Sequence, residues 1–476
     1  MGEELADSAR PNILFLMSDQ HRADVSGYAG DDVVRTPVLD ELAGKGVVFN
    51  NAYTPAPICI PARQSMAAGQ LPRTCGCEVF GEDLAPGHMT FARRLSQYGY
   101  ATVACGKLHH NGTDQMQGWT SRIGSGMSVR HDFIEGRDLD AFRDLPIPTE
   151  HKWTQAKEVK RAGIGQGPIN GTDAYTLDGA LRFIESFFAA PYYDRATPAR
   201  PLMLMVSFVR PHVPFLTSHE NFTYYLNRVT PYVNEDAFDH PFLGSKAVEP
   251  GVDVSEREIR RATAAYYGMV EDMDEDYGNV LAALEHVGED LDDWITIYTS
   301  DHGEMLGEHR LWEKTKFFEG SVKVPLIIRL PGRANAGHVV EKNVNLCDLF
   351  ATICELTDVP VVDGLDSRSL VPLLNGDGAA WDNETISHYG GTHLGHEDHF
   401  DRYENLMIKR DQLKYQYYGH EMPEVLFDLA ENPEETINFV DDPRYAGSLA
   451  AFRKRRAELG YGLNAAADYT NAGYQI

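Results

Sequence analysis

The sequence predicts an α/β fold in two domains. Short continuous apolar runs, typical of strands buried on both faces of a parallel sheet, alternate with helical patterns through most of the chain. Beyond about residue 378 this alternation stops, and three short strand patterns precede a final helix. We therefore expect a large N-terminal domain at residues 1–378, with a mainly parallel central sheet flanked by helices. Residues 379–476 are expected to form a smaller α+β domain with a short antiparallel sheet and a helix.

The apolar runs and the helix-ending residues locate the individual elements. Strands of the large domain are predicted at residues 12–17, 47–49, 101–104, 202–209, 294–300 and 324–330. Its helices are predicted at residues 36–46, 91–98, 172–189, 255–287 and 345–356. The smaller domain is predicted to contain strands at residues 405–409, 414–418 and 425–427 and a helix at 448–459. Residues 111–171, rich in glycine and charge, are predicted to form long loops over one end of the sheet.

Composition and charge exclude several classes of partner. The chain has 476 residues, of which 71 are acidic and 43 basic, for a formal net charge of −28. Such a surface repels nucleic acid and anionic membranes. No apolar run approaches a membrane span, and the first ten residues are polar and acidic rather than signal-like. Because six cysteines in so long a chain do not make a disulfide framework, we expect a reduced, cytoplasmic protein.

Reactive side chains follow the predicted strands of the large domain. They are Asp19 and Gln20, Lys107 and His109, His212, and Asp301 and His302. In an open α/β sheet the carboxyl ends of the strands share one crevice, so these side chains can converge. Each has an ordinary structural explanation alone, but their joint occurrence at strand ends favours a functional site.

The residues from Cys59 to Arg63 complete this set. Pro61 suits the first turn of a helix, residues 62–68 favour helix, and Gly69 is a plausible stop. Cys59 is therefore expected at a helix N-terminus, where free backbone N–H groups favour an anion or a thiolate. Arg63 adds a positive charge one turn along. The alternative is a buried free cysteine, the commoner fate of an isolated cysteine.

Residue types indicate the chemistry that the set can perform. Asp19 and Asp301 offer hard oxygen ligands for Ca²⁺, Mg²⁺ or Mn²⁺, with Gln20 and His302 as further ligands. The mostly oxygen ligand set argues against structural zinc.

The remaining members of the set are cations and histidines. Lys107 and Lys314 can hold a tetrahedral anion and stabilise charge in a transition state. His109 and His212 titrate near neutrality and can move protons.

Residues 59–63, Cys-Ile-Pro-Ala-Arg, resemble the signature of the type I, formylglycine-dependent sulfatases of the alkaline phosphatase superfamily. Ala62 stands where the commonest family form has serine, and Ala68 and Gln70 depart from the usual threonine and arginine of the next family element. Residues 106–109, 211–215 and 300–314 also look like family blocks in the family's order. The choline-sulfatase-like and arylsulfatase-like branch is the expected place for the chain.

The resemblance implies a sulfuric ester hydrolase with the alkaline-phosphatase-like fold. In this interpretation Cys59 is converted to formylglycine by a formylglycine-generating enzyme, and its hydrate attacks the sulfur of a small anionic sulfate ester. The metal ligands implied are Asp19, Gln20, Cys59, Asp301 and His302. The metal implied is one divalent ion, calcium, with manganese or magnesium as alternatives. A homo-oligomer is also expected.

The resemblance also implies roles for the remaining site residues. Arg63 would orient the hydrate, and Lys107 and Lys314 would take up charge on the sulfate oxygens. His212 would protonate the departing alcohol. His109 would help to expel sulfate from the second hydroxyl, which a plain cysteine does not have.

Two other functions are open from sequence. A phosphonate monoester or phosphodiester hydrolase of the same superfamily would use the same nucleophile. Relatives of that kind tend to replace the Lys-x-His block with tyrosine and threonine, whereas Lys107 and His109 are both present here. A silent anion-binding protein with unconverted Cys59 is a third possibility.

Three further features carry weaker hypotheses. Cys75 and Cys77 are predicted to be ordinary reduced cysteines. Four histidines are predicted to lie in a loop at the pocket rim: His388, His393, His396 and His399. Residues 112–119 resemble a choline-sulfatase segment, and Trp119 is predicted to face a cation.

Overall fold

The computed structural model describes residues 10–124, 155–190, 193–194, 200–233, 238–241, 247–390, 404–419 and 422–462. Its strands are β1 (Ile13–Asp19), β2 (Val47–Phe49), β3 (Ala52–Tyr53), β4 (Ala101–Gly106), β5 (Ser121–Ile123), β6 (Gly163–Ile164), β7 (Leu202–Pro211), β8 (Leu216–Thr217), β9 (Ile295–Ser300), β10 (Lys323–Val324), β11 (Leu326–Arg329), β12 (Val339–Val340), β13 (Val344–Asn345), β14 (Glu384–Tyr389), β15 (Asn405–Arg410), β16 (Leu413–Tyr418) and β17 (Val425–Asp428). Its helices are α1 (Pro37–Lys45), α2 (Cys59–Ala68), α3 (Pro72–Cys75), α4 (Phe91–Gln97), α5 (Gln155–Arg161), α6 (Pro168–Phe188), α7 (His219–Leu226), α8 (Glu256–His286), α9 (Glu319–Val322), α10 (Leu349–Leu356), α11 (Val371–Leu374) and α12 (Ala446–Glu458). Within these ranges, every helix is too short or too polar to cross a bilayer.

The central sheet has eight strands in the order β12-β2-β11-β9-β1-β7-β4-β5. All neighbours are parallel except β11, which runs antiparallel to both β9 and β2. This confirms the predicted α/β fold with a mainly parallel sheet. Because β1, β4, β7 and β9 all run the same way, their carboxyl ends meet at one edge, where the predicted site residues follow.

The core has two layers because alternate residues of β1 face opposite sides of the sheet. Leu14 and Leu16 belong to an apolar cluster that includes one face of the long helix α8. Phe15 and Met17 belong to a second cluster that includes Met66 of α2. Every residue of β1 is buried, as expected for a strand covered by helices on both faces.

The long helix α8 begins at a capping box. The Ser255 hydroxyl accepts a hydrogen bond from the backbone N–H of Glu258, and the Glu258 carboxylate accepts one from the backbone N–H of Ser255. This reciprocal pair satisfies two of the orphan donors at the helix start. The predicted helix at 255–287 is therefore confirmed within one residue at each end.

The C-terminal sheet is antiparallel, in the order β14-β15-β16-β17. Three of its strands were predicted; β14 was missed because its polar residues are buried and give no alternating pattern. Backbone N–H of His388 donates to the Pro55 carbonyl, and the Asn345 amide donates to the Ile386 carbonyl, so β14 is bonded to the large part of the chain. The domain boundary at 378/379 stays a prediction.

The prediction that residues 111–171 form loops is wrong in part. The structure has strand β5 and helix α5 in this region, while residues 125–154 lie outside the described residues. In α5 the single large apolar side chain is Val159, which is fully buried. Two apolar residues in seven positions, Ala156 and Val159, are too few to establish a helical period, so the sequence pattern could not reveal the helix.

Candidate active site

Neighbouring strands bring the two predicted carboxylates together. Asp19 ends β1, Asp301 directly follows β9, and the strands are paired so that Ser18 lies beside Ser300. Both carboxylates are fully buried. The backbone N–H groups of Gln20 and His302 donate to Oδ1 of Asp301, at 3.2 and 2.9 Å, and thereby hold that carboxylate in place.

Cys59 is the first residue of α2, after Ile58 in an extended conformation. The helix starts three residues before the predicted 62–68 segment and ends, as predicted, at Gly69, which has a φ of 64°. Sγ of Cys59 lies 3.2 Å from Nε2 of His302 and 3.9 Å from Oδ1 of Asp19. The expectation that this position favours a thiolate is wrong. Burial and Asp19 raise the pKa of Cys59 to about 11, against the opposing effect of Lys314, so the thiol is protonated at neutral pH.

His302 is oriented by the residue that follows it. Its Nδ1 lies 2.9 Å from the Gly303 carbonyl, so Nδ1 donates and Nε2 presents its lone pair to Cys59 and Asp19. Gly303 has no room for a side chain, because a Cβ there would lie 2.1 Å from the Gly320 carbonyl oxygen. Burial lowers the pKa of His302, so its ring is neutral, as a metal ligand must be.

Four side chains meet at this point. Ligand atoms of Asp19, Cys59, Asp301 and His302 all lie within 4.8 Å of one another and are buried. Two carboxylates and one imidazole nitrogen, with few soft donors, suit a hard divalent cation. The donor set therefore fits the metal site that the sequence predicts.

Arg63 holds this cluster from the side of the helix. Its Nε donates to Oδ2 of Asp301 at 2.7 Å, and its Nη2 donates to Oδ2 of Asp19 at 3.1 Å. Nη1 donates to the Lys107 carbonyl at 2.6 Å and to the Ser207 hydroxyl at 3.0 Å. Arg63 thus fixes both carboxylates by charge-assisted hydrogen bonds.

Two buried lysines flank the cluster. Gly106, with a φ of 89°, turns the chain at the end of β4, and Nζ of Lys107 reaches Oδ2 of Asp19 at 2.6 Å. Nζ of Lys314 lies 2.6 Å from Oε1 of Gln20 and 2.7 Å from Nε2 of His212. Burial alone would raise the pKa of Asp19, but Lys107 and His212 outweigh it and hold that pKa well below its ordinary value. Two lysines and one arginine therefore face two aspartates, and the excess positive charge suits an anion.

Both predicted histidines lie beside these lysines; His109 is buried and His212 is half-buried, with 20% of its side chain exposed. Nδ1 of His212 donates to the Val213 carbonyl at 2.7 Å, which leaves Nε2 to accept from Lys314. Burial and Lys314 hold the pKa of His212 well below its ordinary value. Burial and Lys107 do the same to His109, whose ring packs edge to face on Phe80 at 6.1 Å. Both rings are thus neutral, and His212 can donate from Nε2 only after that atom takes a proton.

Gln20 has a different environment from the one expected of a metal ligand. Its φ of 70° places it in the left-handed region. Its amide nitrogen donates to Glu304, and its amide oxygen accepts from Lys314. The described contacts of its side chain are therefore with Glu304 and Lys314, and its role at the metal stays a prediction.

Comparison with known proteins decides the family. A family model described as "Sulfatase" matches residues 11–359. The chain belongs to the sulfatase family. A second model, "N-sulphoglucosamine sulphohydrolase, C-terminal", matches residues 307–460 of this sulfatase.

Two curated relatives extend over nearly the whole sulfatase chain. A choline-sulfatase from Rhizobium meliloti is 30% identical over 463 residues, covering 94% of this chain and 87% of the relative. An arylsulfatase from Clostridium perfringens is 26% identical over 478 residues, covering 94% and 93%. The protein is therefore a hydrolase of the sulfatase type.

A solved structure confirms the fold. The phosphonate monoester hydrolase of Agrobacterium radiobacter superposes with a TM-score of 0.76 at 23% identity, covering 95% of each chain. At this identity the likeness concerns the architecture of the sulfatase and not its substrate.

Two residues of the sulfatase site were missed from sequence. Ser207 accepts a hydrogen bond from Arg63, and Glu304 accepts one from Gln20. Ser207 interrupts the apolar run of β7, which was a usable signal. Glu304 was visible only as part of the polar segment after Asp301.

Two weaker hypotheses are corrected by the structure of the sulfatase. Trp119 is only 6% exposed and packs edge to face on Phe91 in the core, because the preceding Gly118 turns the chain inward. It therefore does not face a bound cation. His388 lies in β14, buried, with Nε2 2.7 Å from Glu78, rather than in a rim loop. His393, His396 and His399 lie outside the described residues.

Proposed function

We propose that this sulfatase cleaves a sulfate monoester to an alcohol and inorganic sulfate, with residue 59 converted from cysteine to formylglycine. The proposal includes one divalent metal ion, calcium, held by Asp19, Gln20, Asp301, His302 and residue 59. The observation that carries it is the cluster of buried ligand atoms around Cys59, within 4.8 Å of one another, beside two lysines. This arrangement joins a nucleophile position to a cationic anion-binding site.

The environment of Cys59 supports its conversion. A buried thiol with a pKa of about 11 is protonated at neutral pH and is a poor nucleophile. Hydrated formylglycine supplies an oxygen nucleophile at the same position, together with a second hydroxyl for the release of sulfate. The family resemblance of residues 59–63 supports the same conversion.

The oxygen and nitrogen donor atoms of the cluster support the metal. Asp19 and Asp301 are both fully buried, which is costly for two like charges unless cations compensate them. Arg63 and Lys107 already contact them, and the lone pair of His302 completes a face of three ligands. Asp19, Asp301 and His302 would hold a divalent ion here, and its positive charge would favour ionisation of a hydroxyl at residue 59 and stabilise the sulfate oxygens.

Side chains of this protein supply the remaining steps. Lys107 and Lys314 bind the sulfate oxygens, whose charge grows in the transition state. Arg63 orients residue 59 through the two aspartates. His212, once its Nε2 is protonated from solvent, gives that proton to the oxygen of the leaving alcohol, while the neighbouring Lys314 keeps its charge. His109, neutral because of burial and Lys107, is placed to accept a proton during sulfate release.

Hydrolysis of three substrates tests the proposal. Turnover of 4-nitrophenyl sulfate is compared with that of phenyl phosphonate and bis-4-nitrophenyl phosphate on one batch, after the mass of the residue-59 peptide has been measured. We expect a large preference for the sulfate in kcat/KM. Cys59→Ala is expected to abolish turnover, whereas the matched variant Cys354→Ala, at a buried cysteine of helix α10, keeps it.

The second candidate is a phosphonate monoester or phosphodiester hydrolase of the same superfamily, which would use the same nucleophile. Lys107 and His109 argue for the sulfate, since relatives of the other kind tend to carry tyrosine and threonine there. Preference for the phosphorus substrates with residue 59 converted would establish the second candidate.

The proposal names a formylglycine-generating enzyme as the partner that modifies Cys59. Coexpression with and without such an enzyme, followed by peptide mass measurement, tests this partner. The homo-oligomer and the cytoplasmic location remain predictions from the sequence.

A further inference from the structure

Glu313 stands next to Lys314 and has no role in the steps above. It is 7% exposed, and within the described part of the chain its Oε1 has no hydrogen-bond partner. A buried carboxyl oxygen without a partner is costly, because it has lost water and gained nothing in exchange. Such an atom is expected to meet a donor that enters from outside the protein.

The backbone around Glu313 is fixed in an unfavourable conformation. Glu313 has a φ of 70°, and its N–H donates to the carboxylate of Glu304 while its carbonyl accepts from the N–H of Met305 at 2.8 Å. On either side, the N–H of Trp312 donates to Gln155 and that of Thr315 donates to the Pro57 carbonyl. A non-glycine residue in this region is strained and persists only where its surroundings impose it.

The surroundings of Glu313 belong to the candidate active site. The next residue, Lys314, contacts His212, the proposed proton donor to the leaving alcohol. Burial raises the pKa of Glu313 well above its ordinary value; Lys314 opposes this, and Glu304, Glu158 and Cys59 reinforce it. Two hydrogen bonds fix this segment at the site: the Glu313 N–H donates to Glu304, which also accepts from Gln20, and the Thr315 N–H donates to the Pro57 carbonyl, two residues before Cys59.

We propose that Glu313 hydrogen-bonds a donor group, a hydroxyl or an ammonium, on the alcohol portion of the substrate. This inference rests on the proposed function. It names the substrate class as sulfate esters of polyols or amino alcohols, and it makes Glu313 a specificity-determining residue. Sulfate esters whose alcohol lacks a donor would leave the Glu313 carboxyl unpaired and would be rejected.

Three substrates of nearly equal size test the inference. They are 2-aminoethyl sulfate, 2-hydroxyethyl sulfate and propyl sulfate, which carry an ammonium, a hydroxyl and a methyl group at the same place. We expect the wild-type enzyme to prefer at least one of the first two over propyl sulfate by about tenfold or more in kcat/KM. In Glu313→Leu this ratio is expected to fall to about one.

The design separates specificity from folding. Because both rate constants of a ratio come from one batch, any loss of folded or converted enzyme cancels. Glu313→Gln preserves the volume and one acceptor oxygen, so it is expected to keep most of the preference over propyl sulfate that Glu313→Leu loses. Glu435→Gln, which removes a buried carboxyl from the C-terminal part of the chain, is the matched control and keeps the wild-type ratio.

The outcomes distinguish this inference from the proposed function. Equal ratios in wild type and Glu313→Leu, with 4-nitrophenyl sulfate still hydrolysed, would overturn the inference and leave the sulfatase assignment in place. Absence of turnover on every sulfate ester, with residue 59 converted, would overturn both. A ratio that collapses in Glu313→Leu but not in Glu435→Gln supports the inference.

Discussion

Two buried clusters of lysine and carboxylate side chains in this protein have opposite charge balances. In the C-terminal cluster, the Lys414 ammonium contacts the carboxylates of Glu319, at 2.9 Å, and Glu435. The Tyr53 hydroxyl donates to Glu319 at 2.8 Å, and the Glu319 N–H donates to Glu435 at 2.7 Å. The fully buried Lys414 thus contacts two carboxylates, of which Glu435 is buried and Glu319 is 22% exposed. The cluster joins the C-terminal sheet to helix α9.

The active-site cluster has cations in excess. The Lys314 ammonium contacts two neutral groups, the amide of Gln20 and the ring of His212. Burial would lower the pKa of Lys314, but Cys59 and Asp19 raise it above its ordinary value, so the ammonium stays charged. The comparison shows that the partners of a buried lysine indicate its function. With two carboxylates it stabilises the fold, and with neutral partners it is ready for an anionic substrate.

The largest effect that follows concerns the stability provided by Lys414. In Lys414→Met, the buried Glu435 and the partly exposed Glu319 lose their shared cation, and we expect the free energy of unfolding to fall by about 3–5 kcal/mol. Urea unfolding measures this loss. The kcat per folded molecule on 4-nitrophenyl sulfate is expected to stay at the wild-type value; a loss of kcat would show that the two clusters are not separate in function.

Substitution of the active-site lysine Lys314 is expected to affect turnover strongly and stability weakly. Lys314→Met removes a cation aimed at the sulfate, and we expect kcat on 4-nitrophenyl sulfate to fall by about 100- to 1000-fold. The free energy of unfolding is expected to change by about 1 kcal/mol or less, because the direct partners of Lys314 are neutral. A loss of stability as large as in Lys414→Met would contradict the comparison.

Calcium binding is expected to depend on the carboxylates of the active-site cluster and not on those of the C-terminal cluster. At a free concentration 100 times its dissociation constant, Ca²⁺ is expected to stabilise the wild-type protein by about 2.7 kcal/mol, visible as a rise in Tm. Asp301→Asn removes one of the two buried carboxylate ligands and is expected to abolish the rise. Glu435→Gln is expected to keep it. An equal rise in Asp301→Asn would place the ion elsewhere.

The sequence could locate the active site because parallel strands end at one edge. Asp19, Lys107, His212 and Asp301 each follow a buried apolar run, and that pattern needs no knowledge of side-chain packing. A separate local signal, Pro61 in a first helical turn and Gly69 as a stop, placed Cys59 at a helix N-terminus.

The features that depend on side-chain packing could not be predicted from the sequence. The helix N-terminus favoured a thiolate at Cys59, yet burial and Asp19 outweigh it and keep the thiol protonated. Trp119 was expected to meet a cation, yet the turn at Gly118 buries it on Phe91. Strand β14 gave no alternating pattern because polar residues of both its faces are buried. Each of these outcomes depends on neighbours that are distant in sequence.

The smallest expected effect is a pH dependence of stability that comes from Glu435. Burial and Glu319 raise the pKa of Glu435 to about 7, against Lys414. Its value in an unfolded chain is about 4.3. Between these values the folded protein binds a proton that the unfolded chain does not, so the free energy of unfolding falls as pH rises from 4.3 to 7.

Glu435→Gln tests this dependence, because glutamine does not titrate. We expect the wild-type free energy of unfolding to fall by about 2 kcal/mol more than that of the variant between pH 5 and pH 7, measured by urea unfolding. Burial alone would also raise the pKa of Glu319, but Lys414 and Lys409 lower it to about 2, so Glu319 acts only below this range. Parallel curves for wild type and variant would mean that Glu435 is ionised when folded. Lys414 would then hold two full negative charges, and the C-terminal cluster would be more strongly anionic than the comparison with the active site assumes.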